Sequence, residues 1–373
     1  MRVVCIDDEQ LALRYIERQL AKIAEVEVIG SFVNPLEGKE FILREKPDVV
    51  FLDIDMTPVN GMEIAEKILE KLPDVILVFV TAYEAYAVNA FELNATDYIV
   101  KPLKFERLEL TVNRIKNQLQ NQHKRIITYP QSLRIKMTPS LAFETEPDVF
   151  EPLPWRTAKT QELFIFLLQN HDVVIEKSAI IELLWDDYDL EKAYSLLYTT
   201  IYNIRKQIKP YQKHIMLHNH SYGYLLELTQ VEIDYVEWSK AIGALPDLTA
   251  DTVGDYERAM EMYDGTYLAN YDYTWLEAER QRYERIWLQA SNQIATFYYH
   301  NGKVNDAIRW YNYMIDHNPT IEDAHFELMK LHGENGNFAA MMQQYTALHK
   351  VWRNYYDAKP SDYIIEWYME MMK

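Results

Sequence analysis

Between residues 2 and 120, five short apolar runs, near 2–6, 26–31, 48–52, 75–80 and 96–100, alternate with segments of helical periodicity. Runs of that length suit buried strands, and strands separated by amphipathic helices lie side by side in parallel with the helices over the sheet faces. The alternation predicts a doubly wound, parallel, five-stranded α/β sheet. In such a sheet the carboxyl ends of neighbouring strands open on one crevice, and ligands bind there.

What stands at those strand ends is chemically coherent. Asp7 and Asp8 follow directly on Val3–Ile6, and Asp53 follows Val49–Leu52, so three carboxylates converge. Such a cluster is unfavourable without a cation, and hard oxygen ligands with room for water and phosphate suit magnesium. The run Phe79-Val80-Thr81 adds a hydroxyl, and Ile99-Val100-Lys101-Pro102 adds an ammonium beside a proline. A metal, an ammonium and a hydroxyl can share the three equatorial oxygens of a transferred phosphoryl group while a carboxylate acts as nucleophile.

These residues resemble the receiver domains of two-component response regulators, which have a flavodoxin-like fold, over roughly residues 1 to 120. The resemblance implies that Asp53 accepts a phosphoryl group from a sensor histidine kinase. It also implies that Asp8 is a direct Mg2+ ligand, Asp7 an outer or water-mediated one, and the Asp55 main-chain carbonyl a further ligand. Thr81 and Lys101 would hold phosphoryl oxygens, and the Lys101-Pro102 bond is expected to be cis. Tyr98 is the candidate aromatic switch, filling space that Thr81 vacates when phosphorylation adds about two negative charges. The face formed by residues 84 to 92, the last strand and the last helix is where the family implies a homodimer on phosphorylation. One departure is local: the family usually has proline four residues after the acceptor, but here Thr57 stands there, Pro58 comes next, and Gly61 keeps its usual place.

Length demands more than this. A chain of 373 residues is too long for one ordinary core. A helical segment from Lys104 ends in the polar run Asn117-Gln118-Leu119-Gln120-Asn121-Gln122-His123-Lys124, where a linker begins. We read residues 1–120 as the first domain, 121–228 as a second and 229–373 as a third. The second has β-like stretches at Arg125–Tyr129 and Leu133–Met137, a Pro-rich passage, three helical segments and a hairpin, His214–His218 with Tyr222–Leu228. That order suggests a winged helix (α+β). The third is all-α and rich in Tyr, Trp and Met. Its Asn301-Gly302 recurs as Asn335-Gly336 (336 − 302 = 34), the period of tetratricopeptide (TPR) helix pairs.

The formal charge of -19 argues against diffuse attraction to nucleic acid, so any DNA contact must be local. Positive charge does gather in one place: between residues 192 and 213 the charged side chains are Lys192, Arg205, Lys206, Lys209 and Lys213, with no acid among them. Leu197, Ile201, Ile204 and Ile208 recur at helical spacing as a core face, and Thr199, Tyr202, Asn203 and Lys206 lie opposite. Asparagine and lysine can bond base edges, and threonine can meet phosphates or a thymine methyl.

Trp155-Arg156-Thr157-Ala158-Lys159, Ile181-Glu182-Leu183-Leu184-Trp185, Thr199 to Lys206 and Tyr222-Gly223-Tyr224 resemble the winged-helix domain of SARP-type bacterial activators. The sequence from about 232 resembles the TPR-like bacterial transcriptional activator domain. The resemblance implies promoter DNA as partner, with Lys192, Thr199, Thr200, Tyr202, Asn203, Arg205, Lys206 and Lys209 on the reading helix and Lys213 and His220 at the wing, and RNA polymerase as a further partner. No separate enzymatic site is visible. Cys5, the only cysteine, lies in a strand-like apolar run, and no stretch is apolar enough to cross a membrane, so a cytoplasmic protein is expected. Two rivals stand beside this reading: a phospho-dependent protein-interaction scaffold whose winged helix does not bind DNA, and an aspartyl-nucleophile phosphatase with Asp55 as second acid.

Overall fold

The computed structural model describes residues 1–57, 59–72, 75–82, 97–122, 132–263 and 265–372. Pro58, the face at 84–92 and the β-like stretch Arg125–Tyr129 lie outside these described residues. The chain forms two compact units, one of residues Met1–Leu133 with Leu153–Val231, the other of Arg134–Pro152 with Glu232–Lys373.

The first unit begins with β1 (Arg2–Ile6), α1 (Gln10–Leu20), β2 (Glu27–Phe32), α2 (Pro35–Glu45), β3 (Val49–Leu52), α3 (Gly61–Lys71), β4 (Ile76–Thr81), β5 (Asp97–Val100) and α4 (Phe105–Gln122). The five strands form a sheet in the order β2-β1-β3-β4-β5, and every described pairing within it is parallel. Strand alternation divides the core. Val4, Ile6, Val50, Leu52, Leu77 and Phe79 face Ile42 of α2 and Met62, Ala65, Ile68 and Leu69 of α3. Their neighbours Val3, Cys5, Val49, Phe51, Ile76 and Val78 face α1 and the Leu108, Val112 and Ile115 stripe of α4. The Lys101–Pro102 peptide after β5 is cis.

An α+β region completes this unit: α5 (Ala158–Gln169), β9 (Val174–Glu176), α6 (Lys177–Trp185), α7 (Leu190–Ile208), β10 (Ile215–Asn219) and β11 (Gly223–Leu228). The three strands are antiparallel in the order β10-β11-β9. Asp189 caps α7, its carboxylate accepting from the Lys192 N–H at 3.0 Å. Leu197, Ile201, Ile204 and Ile208 are the buried face of α7, as the periodicity predicts.

The second unit corrects one sequence grouping. Strands β6 (Leu133–Lys136), β7 (Ala142–Glu146) and β8 (Val149–Glu151) share a sheet with β12 (Val231–Ile233), in the order β12-β6-β7-β8, rather than joining the three-helix region that follows them in sequence. The Met137 N–H donates to both carboxylate oxygens of Asp234 at 3.1 and 3.0 Å, fixing this segment to the start of the helical region. Strand pairing over nearly a hundred residues is not a local signal, so periodicity could not show it.

The rest of this unit is an all-helical, TPR-like bundle: α8 (Asp234–Gly243), α9 (Val253–Glu261), α10 (Glu277–His300), α11 (Val304–His317), α12 (Glu322–Glu334), α13 (Phe338–Tyr356) and α14 (Asp362–Met371). From α10 to α13 each helix packs on the next. Gly302 and Gly336, with φ of 72° and 71°, turn the chain through the same left-handed corner after α10 and α12, which is what the 34-residue interval between them requires. Tyr235, Trp238, Tyr283 and Trp287 are buried at its centre. Among the described residues no helix is long and apolar enough to cross a membrane.

Candidate phosphoacceptor site and basic helix

Parallel register brings the strand ends together. Ile6 pairs with Leu52, Leu52 with Phe79, and Thr81 with Val100, so Asp7, Asp53, Thr81 and Lys101 stand at adjacent strand ends. The Lys101 ammonium lies 2.7 Å from Asp7 Oδ2 and 2.7 Å from Asp53 Oδ2. Asp53 Oδ1 accepts from the Ile54 N–H at 2.7 Å. Asp7 and Asp53 are buried, Asp8 is half-buried, and one oxygen from each of the three lies within 4.8 Å of the others. Thr81 is fully buried, and Asp55 is exposed. The position of Tyr98 in β5 is described, but its side chain lies outside the described residues.

Burial raises the pKa of both Asp7 and Asp53, and Lys101 pulls each back down. Burial likewise works against the Lys101 ammonium, but its bonds to Asp53 and Asp7 outweigh it and raise its pKa. Three carboxylates around one cation leave net negative charge in a crevice with hard oxygen donors only, a donor set that fits Mg2+.

Thr57, where the receiver pattern usually has proline, has a role that sequence reading missed. Its N–H donates to Asp8 Oδ2 at 3.1 Å, and its hydroxyl lies 3.4 Å from the same oxygen. A proline there would have no N–H to give. Close contact follows at Gly61, whose N–H bonds the Ile54 carbonyl at 2.8 Å; a Cβ on Gly61 would lie 1.8 Å from the Asp53 carbonyl oxygen.

The basic helix α7 is arranged differently. Lys192, Lys206, Lys213 and His220 are exposed, and the Lys192 ammonium lies over the Tyr188 ring at 4.7 Å. Thr199, Thr200 and Asn203 are 4%, 5% and 6% exposed, and with Lys159 and Lys192 they line a cavity of about 250 Å³ bounded by α5, α6 and α7. The Thr199 and Thr200 hydroxyls donate to the Ser195 and Leu196 carbonyls of their own helix at 2.7 and 2.8 Å. Arg205 turns to its own hairpin, donating to the Leu217 carbonyl at 3.1 Å and to Asn219 Oδ1 at 2.8 Å. Lys209 is half-buried. Tyr198 and Tyr202 pack against the apolar group that contains Met62, Ala65 and Leu69 of α3, and burial pushes the Tyr202 hydroxyl up to about 12. Beside them the Glu66 side chain of α3, buried at 4% exposure, faces Arg205 with Oε1 3.9 Å from Nη1. Sequence reading missed Glu66, which looks like an ordinary acid on an amphipathic helix.

Comparison with known proteins agrees with this architecture. Residues 3–113 match the family model described as response regulator receiver domain, and residues 240–371 match the bacterial transcriptional activator domain. These two stretches are therefore a receiver domain and a bacterial transcriptional activator domain, and a receiver is a signalling, phosphoacceptor module rather than a catalytic enzyme. An uncharacterized response regulatory protein of Vibrio cholerae serotype O1 is 42% identical over 138 residues, 37% of this chain and 58% of that protein. Sensory transduction protein LytT of Bacillus anthracis is 42% identical over 122 residues, 33% of this chain and 50% of that protein. The chain thus spans about half the length of these curated relatives. Mycobacterium tuberculosis EmbR, solved in complex with a low-affinity phosphopeptide, is 15% identical with a TM-score of 0.47, over 64% of this chain and 65% of that one.

Proposed function

We propose that this chain is a phosphorylation-dependent transcriptional regulator of a two-component system. A sensor histidine kinase would phosphorylate Asp53, and a SARP-type winged helix spanning α5 to β11 would carry the output to promoter DNA. The observation that carries the reading is the Asp53 carboxylate held at a strand end between two further aspartates and a lysine at 2.7 Å. In the transfer an Asp53 oxygen attacks the phosphorus of a phosphohistidine. The P–O bond forms as the P–N bond breaks, and the electron pair returns to the imidazole nitrogen. Asp7, Asp8, Asp53 and the Asp55 carbonyl would hold Mg2+, which when bound supplies positive charge to the transferring phosphoryl oxygens. Lys101 can keep its ammonium in place and exchange its bond to Asp53 for a phosphoryl oxygen, with the Thr81 hydroxyl at the neighbouring strand end.

Lys192, Lys206, Lys213 and His220 supply the exposed positive or protonatable groups for phosphate contacts, and Thr199, Thr200, Tyr202 and Asn203 the polar ones, with Arg205 and Lys209 between them. Dimerisation on paired half-sites would offset the small basic area, and RNA polymerase is a natural partner for the C-terminal bundle. The scaffold reading draws support from the -19 charge and the low exposure of Thr199 and Asn203.

Light scattering and duplex binding, on wild type and Asp53→Ala with and without acetyl phosphate and magnesium, test the choice. Donor-dependent association and steeply salt-dependent DNA binding, both lost in Asp53→Ala, are expected. Phosphorylation with no DNA binding at any salt concentration would favour the scaffold.

A further inference from the structure

Thr199, Thr200 and Asn203 do not stand on an open helix face. They are buried at the bottom of the cleft between α5, α6 and α7, where Thr160, at 1% exposure, joins them. The bases of a duplex are stacked and paired, and the major groove takes side chains that project from a helix rather than groups sunk beneath its surface. Whatever meets this floor must be small enough to enter about 250 Å³, just under the usual ligand-pocket range of about 300–1,000 Å³. Lys206, Lys213 and His220, all exposed, remain for DNA.

The floor has a defined polarity. The Thr199 and Thr200 hydroxyls donate to the Ser195 and Leu196 carbonyls at 2.7 and 2.8 Å, so toward the cleft they can only accept. Asn203 beside them carries an amide, whose acceptor and donor match the amino group and neighbouring ring nitrogen of adenine. Two hydroxyl acceptors next to an amide favour a base edge that bears an amino group. They oppose the bare carbonyl that hypoxanthine presents at the same place.

The walls and the mouth supply the rest. Leu184, Trp185 and Leu196 give an apolar lining suited to a flat ring. At the mouth stand two exposed cations, Lys159 from α5 and Lys192 from α7, and among the described residues no acid lines the cleft. Lys159 pairs with Glu162 at 3.1 Å and Lys192 lies over the Tyr188 ring. Both are surface contacts of the kind that a phosphate group replaces at little cost.

We infer that this cleft binds a free adenine mononucleotide, with the base on the Thr199, Thr200 and Asn203 floor, its ring against Trp185, and the phosphate between Lys159 and Lys192. The chain then has a second input, lodged in the output region and chemically separate from Asp53. It rests on neither the phosphotransfer nor the DNA-binding reading.

Calorimetric titration of the full chain in metal-free buffer tests it, with adenosine monophosphate (AMP) as the probe. AMP should bind at one site per chain. Inosine monophosphate, which has a carbonyl in place of the amino group, adenosine, which has no phosphate, and inorganic phosphate alone should each bind about tenfold or more weakly. Lys159→Gln combined with Lys192→Gln, both at exposed positions, should weaken AMP to the level of adenosine, and Thr200→Val should weaken AMP and adenosine alike. Asp53→Ala should bind AMP as wild type does, so a failure of the phosphorylation reading leaves this result standing. No binding of AMP at millimolar concentration, by calorimetry or ligand-observed NMR, overturns the assignment. So does equal binding of AMP and inosine monophosphate, or AMP affinity unaltered by the double lysine substitution, which would place the nucleotide elsewhere.

Discussion

In the candidate acceptor crevice one ammonium stands 2.7 Å from each of two buried carboxylates, whereas at α3 a buried carboxylate and a guanidinium face each other at 3.9 Å with no bond between the facing atoms. Both places remove charge from water, but only the first satisfies it closely. A crevice satisfied in this way holds its geometry. At the second, Arg205 is bonded instead to its own hairpin, and the two opposite charges meet without a direct bond.

The comparison breaks most decisively at Asp53. Asp53→Asn is expected to abolish phosphoryl incorporation from acetyl phosphate, measured by intact-protein mass spectrometry; an adduct that persists on another side chain would remove the crevice from the mechanism. Next in size is Lys101→Met, which leaves Asp7 and Asp53 buried without their shared cation. Losing one partner of a buried pair costs about 3 kcal/mol, so urea denaturation in metal-free buffer should show a loss of that order. Added magnesium should recover part of it, and an unchanged midpoint would mean that the crevice is no better satisfied than the α3 contact.

Gly61→Ala sharpens the link between the two places. Its Cβ would meet a backbone oxygen at 1.8 Å, which cannot swing aside as a side chain can. A cost of roughly 1–3 kcal/mol is expected, together with slower phosphorylation of Asp53 by acetyl phosphate. A variant of wild-type stability and rate would show that the acceptor loop and α3 are not mechanically joined.

The smallest effect is the pH dependence of the α3–α7 contact. Burial raises the pKa of Glu66, against the pull of Arg205, Tyr224 and Lys177, while Glu63 adds to the rise. A carboxyl whose pKa is higher when docked takes up a proton on docking. The contact is thus fully favoured below the undocked pKa and weakens as pH rises through the docked one. Exchange of the α7 amides, corrected for its intrinsic rate, should therefore slow on mild acidification. Glu66→Gln should remove that dependence; faster exchange in acid would reverse the sign and mean that attraction between Glu66 and Arg205 dominates their desolvation.

The clustering of Asp7, Asp53, Thr81 and Lys101 was legible in the sequence because they sit at strand ends, and parallel alternation alone brings strand ends together. Asp7, Asp53, Thr81 and Lys101 needed no knowledge of packing to be grouped. Thr57 was visible only as a departure from a pattern, since its bond to Asp8 depends on how the loop after β3 returns over β1. The core stripe of α7 was equally legible, being a property of one helix. Which element packs against Tyr198, Tyr202 and Arg205 was not: Glu66 and Arg205 are separated by well over a hundred residues, and nothing local marks either as half of a pair. The strands at 133–151 were misgrouped for the same reason, their partner β12 lying far along the chain.

Cys5 lies in the middle of the receiver sheet at 1% exposure, and its burial, with Glu17 and Asp7 nearby, pushes the thiol pKa well above its ordinary value. Since it is the only cysteine in the chain, native protein presents alkylating reagents with no reactive sulfur. Any cysteine placed on α3 or α7 would therefore be the sole labelled position, and wild type needs no prior removal of thiols. Left in place, Cys5 serves as a timer: the rate at which it is alkylated reports how often the receiver sheet itself opens.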